Sequence, residues 1–356
     1  GTKHTAIGYR ALTANTTENN NTAVGYDAMV ANTTGAECTA VGSYALDANT
    51  TGNHNVALGY LALTTNTTAD SNIAIGREAL ETNNGQSNTA VGDRALEANS
   101  SGNYNTALGV AALKTNTTAA NNTSVGAYAL QLNTTGANNV AMGYAALNAN
   151  TTAAGNTAVG YGANDANSTG SYSVAVGHNA LGANLNSYNV GVGTIALASN
   201  TTGEHNTAVG YNAGGAMTTS GNNTAIGYSA MAVGTGGYNT CIGNEAAVAM
   251  NTGTENTIIG SNAAGSLTTG SYNVIIGRYS GQGETAGTAL TTGSRNTMVG
   301  RYVDTSIAAG VDQNVFGYNV SGSADNTFTF GTATTDTTCT NGGTTWSAPS
   351  DIRLKE

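Results

Sequence analysis

The sequence predicts an all-β parallel β-solenoid (β-roll), and three observations support this fold class. The motif Asn21-Thr22-Ala23-Val24-Gly25 returns along the chain with a step of 17 residues, occasionally 16. A period of this size is typical of solenoids. The motif alternates its side chains between two faces, as a strand does. Helices are disfavoured because the glycines and the Asn-Thr-Thr runs would each cost a helix about 0.5 to 1 kcal/mol.

Each repeat is predicted to form one coil, which consists of two extended segments joined by two turns. The motif forms a short strand, and its final glycine, the pivot, makes a tight corner. The next segment, Tyr-x-Ala-Leu as in residues 9–12, is expected to be a second extended piece with its apolar residues inward. Asn-Thr-Thr-Gly then closes the coil, since Asn and Gly tolerate positive φ. The pivot glycines include Gly25, Gly59, Gly109, Gly143, Gly210 and Gly277.

The position of Ala23 stays small in most repeats, which suggests close packing against a second backbone. We interpret this column as the face on which three solenoids pack side by side in a homotrimer. A thin core within one chain is the alternative. Towards the end of the chain the position becomes Cys241, Ile258 and Ile275, so the distal coils should hold together more tightly. A single coil buries too little apolar surface to fold alone, so the coils must stack.

Composition excludes several classes of protein. Charged residues make up only 8% and the net charge is -10, so nucleic acid is not expected as a partner. The sequence contains no run of 18 apolar residues, so membrane insertion is not predicted. The chain begins without Met, as a processed or excerpted piece would. The three scattered cysteines, Cys38, Cys241 and Cys339, predict buried free thiols rather than a disulfide or a metal site.

No motif predicts an enzyme, a cofactor or a metal. Residues 191–196 match the spacing of a dinucleotide-binding fingerprint. The fingerprint requires a helix after it, and none is predicted here, so this site is not expected. The histidines His4, His54, His178 and His205 do not cluster in the sequence. The acidic residues Glu78, Glu81, Asp93 and Glu97 are expected to be scattered, solvated charges without a glycosidase pair.

The register breaks between Gly277 and Gly300, where 23 residues replace 17. The extra six residues are expected to form a lateral loop within residues 280–295, either as a binding feature or as a tolerated insertion. Residues 301–349 contain all three Phe residues, Trp346 and the only Pro, and they predict a C-terminal cap or tip. We expect receptor contacts in these two segments.

Two periodic features predict surfaces. Asparagines that head N-x-[ST] triplets predict a ladder in stacked turns, with glycosylation as the alternative. Aromatic residues five positions before the pivot either face a receptor, by stacking on sugar rings, or pack between coils. The asparagines are Asn15, Asn32, Asn49, Asn66, Asn99, Asn116, Asn133, Asn150, Asn167 and Asn200, and the tyrosines are Tyr104, Tyr172, Tyr188, Tyr238 and Tyr272.

The repeats of residues 21–25 and 273–277 resemble those of trimeric autotransporter adhesin heads. This resemblance implies a trimeric left-handed parallel β-roll over about residues 1–300. The terminal sequence Ser350-Asp351-Ile352-Arg353-Leu354-Lys355-Glu356 resembles the opening of the endosialidase-type intramolecular chaperone, which follows phage tail fibres and tailspikes. That family trimerises the fibre and cuts itself off, which implies Ser350 as the nucleophile and Lys355 as its base at the Ser350-Asp351 junction, if the downstream chaperone is present.

Together these observations predict a repeat shaft over residues 1–300, a cap over 301–349 and a chaperone junction over 350–356. The predicted function is that of a non-enzymatic, elongated, trimeric fibre segment of a phage tail, located in the virion and used for host-surface attachment. The expected partners are further copies of the chain, a host-surface glycan or protein, and other tail proteins. The alternatives are a bacterial trimeric surface adhesin, a glycosylated extracellular filament, or a polysaccharide-cleaving tailspike.

Overall fold

The fold is an all-β parallel β-solenoid with coils of about 17 residues, which confirms the predicted fold class. The structure is a computed structural model that describes residues 3–16, 20–283, 287–332, 336–343 and 345. Within these ranges there is no helix, and so none that is long and apolar enough to cross a membrane. Internal contacts divide the chain into two units, residues 1–179 and 180–356.

The first unit contains one three-residue strand per coil, and consecutive strands pair in parallel. The alanine of one strand lies opposite the alanine of the next, as Ala90 does opposite Ala107. The strands are Thr5–Ile7 (β1), Thr22–Val24 (β2), Thr39–Val41 (β3), Val56–Leu58 (β4), Ile73–Ile75 (β5), Thr89–Val91 (β6), Thr106–Leu108 (β7), Thr123–Val125 (β8), Val140–Met142 (β9), Thr157–Val159 (β10) and Val174–Val176 (β11).

The second unit follows the same plan and ends differently. Its parallel register continues past Gly300, since Val299 pairs with Phe316 and Phe316 with Phe330. The final strand is antiparallel to β20 and covers that strand's free edge. The strands are Val190–Val192 (β12), Thr207–Val209 (β13), Thr224–Ile226 (β14), Thr240–Ile242 (β15), Thr257–Ile259 (β16), Val274–Ile276 (β17), Thr297–Val299 (β18), Asn314–Tyr318 (β19), Thr327–Thr332 (β20) and Thr337–Thr340 (β21).

The interior of each coil is thin and belongs to a single chain. In the coil of β7, Ala107 points inward together with Ala112 and Leu113, and all three are fully buried. The outward residues of the strand are Thr106 and Leu108. The interpretation of the small column as a contact between solenoids is therefore wrong, and the alternative of a thin core within one chain is correct. Alanine fits there because Leu113 of the same coil fills the thin interior, whereas in later coils Ile258 and Ile275 occupy the position and are also fully buried.

The predicted second extended piece is a succession of turns. In the β7 coil, φ is 54° at Ala111 and 52° at Leu113, which is the left-handed region. The turns are closed by Ala112 N–H donating to the Gly109 carbonyl (3.3 Å) and by Asn116 N–H donating to the Leu113 carbonyl (3.3 Å). The inward direction of Ala and Leu agrees with the prediction. The extended geometry does not, because alternating φ signs curl the backbone.

The pivot glycines are needed because of the neighbouring coil. Gly109 has a φ of 137°, a conformation that only glycine adopts readily. A Cβ there would lie 2.6 Å from the carbonyl carbon of Gly126 in the next coil. Over Gly25, Gly59, Gly109, Gly143, Gly210 and Gly277, φ stays between 134° and 145°. The glycine column thus lets successive coils approach each other closely.

Two columns of buried asparagines run through the coils. The first column precedes the strands: Asn122 accepts a hydrogen bond at Oδ1 from the backbone N–H of Asn139 (2.9 Å) and donates from Nδ2 to the Gly136 carbonyl (3.0 Å). The second column heads the Asn-Thr-Thr turns: Asn133 donates to the same Gly136 carbonyl (3.0 Å) and to Oδ1 of Asn116 (2.9 Å). The predicted asparagine ladder is confirmed.

The insertion begins and ends within the predicted range of 280–295. Gly281 N–H donates to the Val303 carbonyl (2.7 Å), and Leu290 N–H donates to the Gly281 carbonyl (3.0 Å). The chain therefore leaves the coil after Gly281 and returns at Leu290, which is fully buried. Residues 284–286 lie outside the described residues.

The second asparagine column predicts that the loss of one side-chain amide has a large effect on stability. We expect Asn116→Ala to destabilise the fold by about 3 kcal/mol, because it leaves Oδ1 of Asn99 without its donor (2.8 Å) and removes an acceptor of Asn133. Urea unfolding followed by circular dichroism measures this loss. The control Thr118→Ala, at an exposed turn position of the same coil, should change stability by less than about 0.5 kcal/mol. Equal effects of the two variants would contradict a stabilising ladder.

Candidate binding surface

The outward face of the strands carries an apolar residue immediately before every pivot glycine. Several of these side chains are substantially exposed in the single chain, including Leu108 at 47% and Met142 at 43%. Contiguous exposed apolar residues mark interaction surfaces. We call this set the outer column. It consists of Ile7, Val24, Val41, Leu58, Ile75, Val91, Leu108, Val125, Met142, Val159 and Val176 in the first unit, and of Val192, Val209, Ile226, Ile242, Ile259, Ile276 and Val299 in the second.

A column of stacked aromatic rings follows the pivot glycines. Tyr9 and Tyr26 stack with ring centroids 5.2 Å apart, and Tyr144 and Tyr161 with centroids 5.3 Å apart. The latter stack extends to His178. In the second unit Tyr211 stacks on Tyr228 at 5.4 Å, and Tyr279 on Tyr302 at 5.6 Å. This surface is not among the predicted ones, and the recurring Gly-Tyr pair is the sequence signal that marks it.

The tyrosines predicted to face a receptor lie on the other side of the strand. Tyr104, Tyr172, Tyr188, Tyr238 and Tyr272 are between 51% and 66% exposed, and each has a φ near 60°. Tyr188 stacks on His205 at 5.2 Å. The Tyr172 ring covers Gly155 of the preceding coil. The outer column is thus bordered by aromatic side chains on both sides. Trp346 lies outside the described residues, as do Ser350, Asp351 and Lys355.

Three acidic residues on the coils of β5 and β6 converge, so their prediction as scattered charges is wrong. Glu78, Glu81 and Glu97 each place a carboxylate oxygen within 4.8 Å of the others, an arrangement that could hold a cation. Coil stacking brings them together, because Glu97 lies one coil after Glu81 at the equivalent position. Arginine and lysine side chains neutralise the cluster. Glu78 pairs with Arg77 (2.6 Å) and Arg94 (2.7 Å), and Glu97 with Arg94 (3.3 Å) and Lys114 (3.5 Å).

The histidines occupy separate environments. His4 contacts the Asn15 amide at 3.0 Å, and His54 lies 3.4 Å from the Glu37 carboxylate. His178 and His205 are members of the aromatic stacks described above. Each histidine therefore contacts a different partner residue.

The asparagines of the Asn-Thr-Thr turns have no room for a glycan. From Asn32 to Asn200 these side chains are fully buried, and only Asn15 in the first coil is partly exposed. The amide nitrogen of Asn116 donates both to Asn99 Oδ1 (2.8 Å) and to the Ala119 carbonyl (3.0 Å). A sugar on this nitrogen would replace one donated hydrogen inside a packed coil. These asparagines are structural in the folded chain.

The three cysteines are buried and free. Cys38 replaces an asparagine of the first ladder and directs its thiol to the Gly52 carbonyl (3.3 Å), as an asparagine amide would. Burial raises the pKa of the Cys38 thiol and raises that of Cys241 to about 12. Cys339 lies beside Phe328 in the wall of an open cavity of about 300 Å³. None of the three thiols forms a reactive centre with another.

No protein-family model, curated protein or solved structure matches this chain. The chain's own geometry and the resemblances of its repeats and terminal sequence are therefore what point to a function.

The carboxylate cluster predicts opposite effects of two isosteric substitutions. Burial, followed by the charges of Glu78 and Glu97, raises the pKa of Glu81. A raised carboxyl pKa means that the charged form opposes folding, so Glu81→Gln should raise the melting temperature at pH 7. The gain should vanish below about pH 4, where the side chain is protonated in both states.

The matched variant is Glu78→Gln. The hydrogen bond from Arg94, followed by the charges of Arg77 and Arg94, lowers the pKa of Glu78. Its stabilisation is present above the unfolded pKa of about 4.3 and is lost as the pH falls through the lower folded value. Glu78→Gln should therefore lower the melting temperature at pH 7 and have less effect at pH 3. Calorimetric shifts of the same sign at pH 7 would contradict this assignment.

Proposed function

We propose that this chain is a structural segment of a trimeric phage tail fibre that serves in attachment to the host surface. The observation that carries the proposal is the outer column, which is apolar in every coil from Ile7 to Val299 and partly open to solvent in the single chain. Such a surface is suited to burial against a partner.

The partner that fits the outer column best is a second copy of the same chain. Its apolar residues recur once per coil, at a spacing of about 4.8 Å between neighbouring strands. Another copy presents the same residues at the same spacing, so coil can match coil over many repeats. A protein without this period would meet the column at only a few points. Three copies are what the resemblance to autotransporter adhesin heads implies, and this trimer uses the outer column rather than the buried alanines.

Attachment rests on the aromatic columns and on the terminal resemblance. Exposed tyrosines offer apolar rings with a polar edge, a combination that suits sugars and protein surfaces alike. A trimer presents each such site three times, which raises avidity without any new contact. The sequence from Ser350 onward resembles the chaperone that follows phage fibres, and it favours the virion over a bacterial surface. Self-cleavage there remains tied to a downstream chaperone.

Native mass spectrometry tests the trimer. The expected species has three times the chain mass of 35.3 kDa. Leu108→Glu combined with Met142→Glu should give monomers, because charges would be buried at the contact. Both side chains are nearly half exposed in the single chain, so the coils themselves should still fold. Thr118→Glu, on an exposed turn, should leave the trimer intact. A monomeric parent chain, or a trimeric double variant, would refute assembly through the outer column.

Electron microscopy tests the location. An antibody raised against residues 1–300 should label fibres on phage tails in cultures that produce the protein. Labelling of the bacterial envelope, with tails unlabelled, would instead identify a bacterial surface adhesin, the alternative that shares the repeat resemblance.

A further inference from the structure

Two exposed arginines occupy equivalent positions on neighbouring coils of the second unit. Strands β17 and β18 pair with Val274 opposite Thr297, so Arg278 and Arg301, each four residues further on, are in register. The two side chains lie side by side on the same surface of the solenoid, next to the segments that carry the insertion and the C-terminal strands.

Each of these arginines lies over a tyrosine ring. The guanidinium carbon is 4.7 Å from the ring centroid of Tyr279 for Arg278, and 4.5 Å from that of Tyr302 for Arg301. The two rings stack in turn, with an interplanar angle of 4°. Tyr318, half exposed, meets Tyr302 edge to face at 6.2 Å. We call these five residues the arginine-tyrosine site.

The environment of Arg301 differs from that of the arginines that form ion pairs. Four arginines form ion pairs with a carboxylate of an adjacent coil, namely Arg10 with Asp27 (3.2 Å), Arg77 with Asp93 (2.8 Å), Arg94 with Glu78 (2.7 Å) and Arg295 with Asp312 (2.8 Å). Among the described residues Arg301 forms no ion pair and donates instead to the Tyr302 hydroxyl (2.8 Å). Like charges directly opposite one another repel, so the register of Arg278 and Arg301 favours an anion between or above them.

The chemistry of the site selects a particular kind of anion. The aromatic ring beside each guanidinium restricts its orientation, and the N–H groups of a guanidinium form a planar fork. That fork matches the two oxygens of a carboxylate or phosphate. The exposed ring and hydroxyl of Tyr318 provide an adjacent surface for a sugar ring.

We infer that the arginine-tyrosine site binds a saccharide that carries a carboxylate or a phosphate. The inference rests on the proposed attachment function, because it names the chemical class of the surface receptor. The chain has a net charge of -10, and the two arginines add positive charge at this site. That charge attracts an acidic glycan.

Titration calorimetry of the full chain with three probes tests this inference. The probes are an oligogalacturonate, the same oligosaccharide after reduction of its carboxyl groups, and a phosphorylated mannose oligosaccharide. At low salt the first or third probe should bind and the reduced one should not. Whichever acidic probe binds more tightly identifies the natural anion. High salt should weaken binding.

Substitutions locate the binding on the surface. Arg278→Gln and Arg301→Gln should each weaken binding about tenfold, since each loses a charge-assisted contact. Arg295→Gln is the matched control, because it removes the same charge from an ion pair outside the site and should leave affinity unchanged. Tyr318→Ser should reduce affinity for the acidic saccharide without changing the fold, which circular dichroism checks.

Three results would overturn the inference: equal binding of acidic and reduced probes, equal losses for Arg295→Gln and Arg301→Gln, or no binding of either acidic probe. The mass of the assembly and the antibody labelling of tails are measured independently. A trimeric tail fibre that ignores acidic saccharides would therefore refute this site alone, whereas a monomeric chain that binds them would refute the proposed fibre.

Discussion

The asparagine ladders are the interaction on which the rest of the solenoid depends. Each coil closes through turns with buried carbonyl groups, and a buried carbonyl without a donor is costly. At Gly136 both ladders meet, since Asn122 and Asn133 donate to the same oxygen. Where an amide also bonds its equivalent in a neighbouring coil, as Asn133 bonds Asn116, the two coils must keep the same height and length. The constant register of every outward column follows from this requirement.

Backbone conformation divides the coil into an inner and an outer surface. The left-handed residues after the pivot, such as Ala111 and Leu113, cost about 1 kcal/mol each in an isolated chain. They are retained because their N–H groups bond both neighbours: Ala111 donates to the Asp93 carbonyl of one coil and Leu113 to the Ala129 carbonyl of the other, each at 2.9 Å. The curl that results sends Ala and Leu inward and leaves the ring after the glycine outside.

The period, the parallel strands, the amide ladder and the buried thiols could be predicted from the sequence, because each leaves a residue at a fixed interval. The orientation of the strand could not. Alternation separates Ala107 from Leu108 but does not say which faces inward. In this coil the larger residue is the outer one, because Ala107 shares a thin interior with Leu113. The carboxylate cluster could not be predicted for a different reason. Glu81 and Glu97 become neighbours only when the coil between them closes after 16 residues. Left-handed leucines carry no local signal at all.

A uniform column and an interrupted column suit different partners. The outer column repeats the same apolar chemistry in each coil, so its contact energy grows with the number of coils only against a surface of equal period, which another copy provides. A small ligand gains nothing from such repetition and needs a place where the pattern changes. The pattern changes at Arg278 and Arg301, where two cations lie over the aromatic column. The adjacent coils also differ from the rest, because they contain an insertion and larger apolar residues. Assembly and recognition can therefore be carried by different residues of one repeat, and selection can alter the second without disturbing the first.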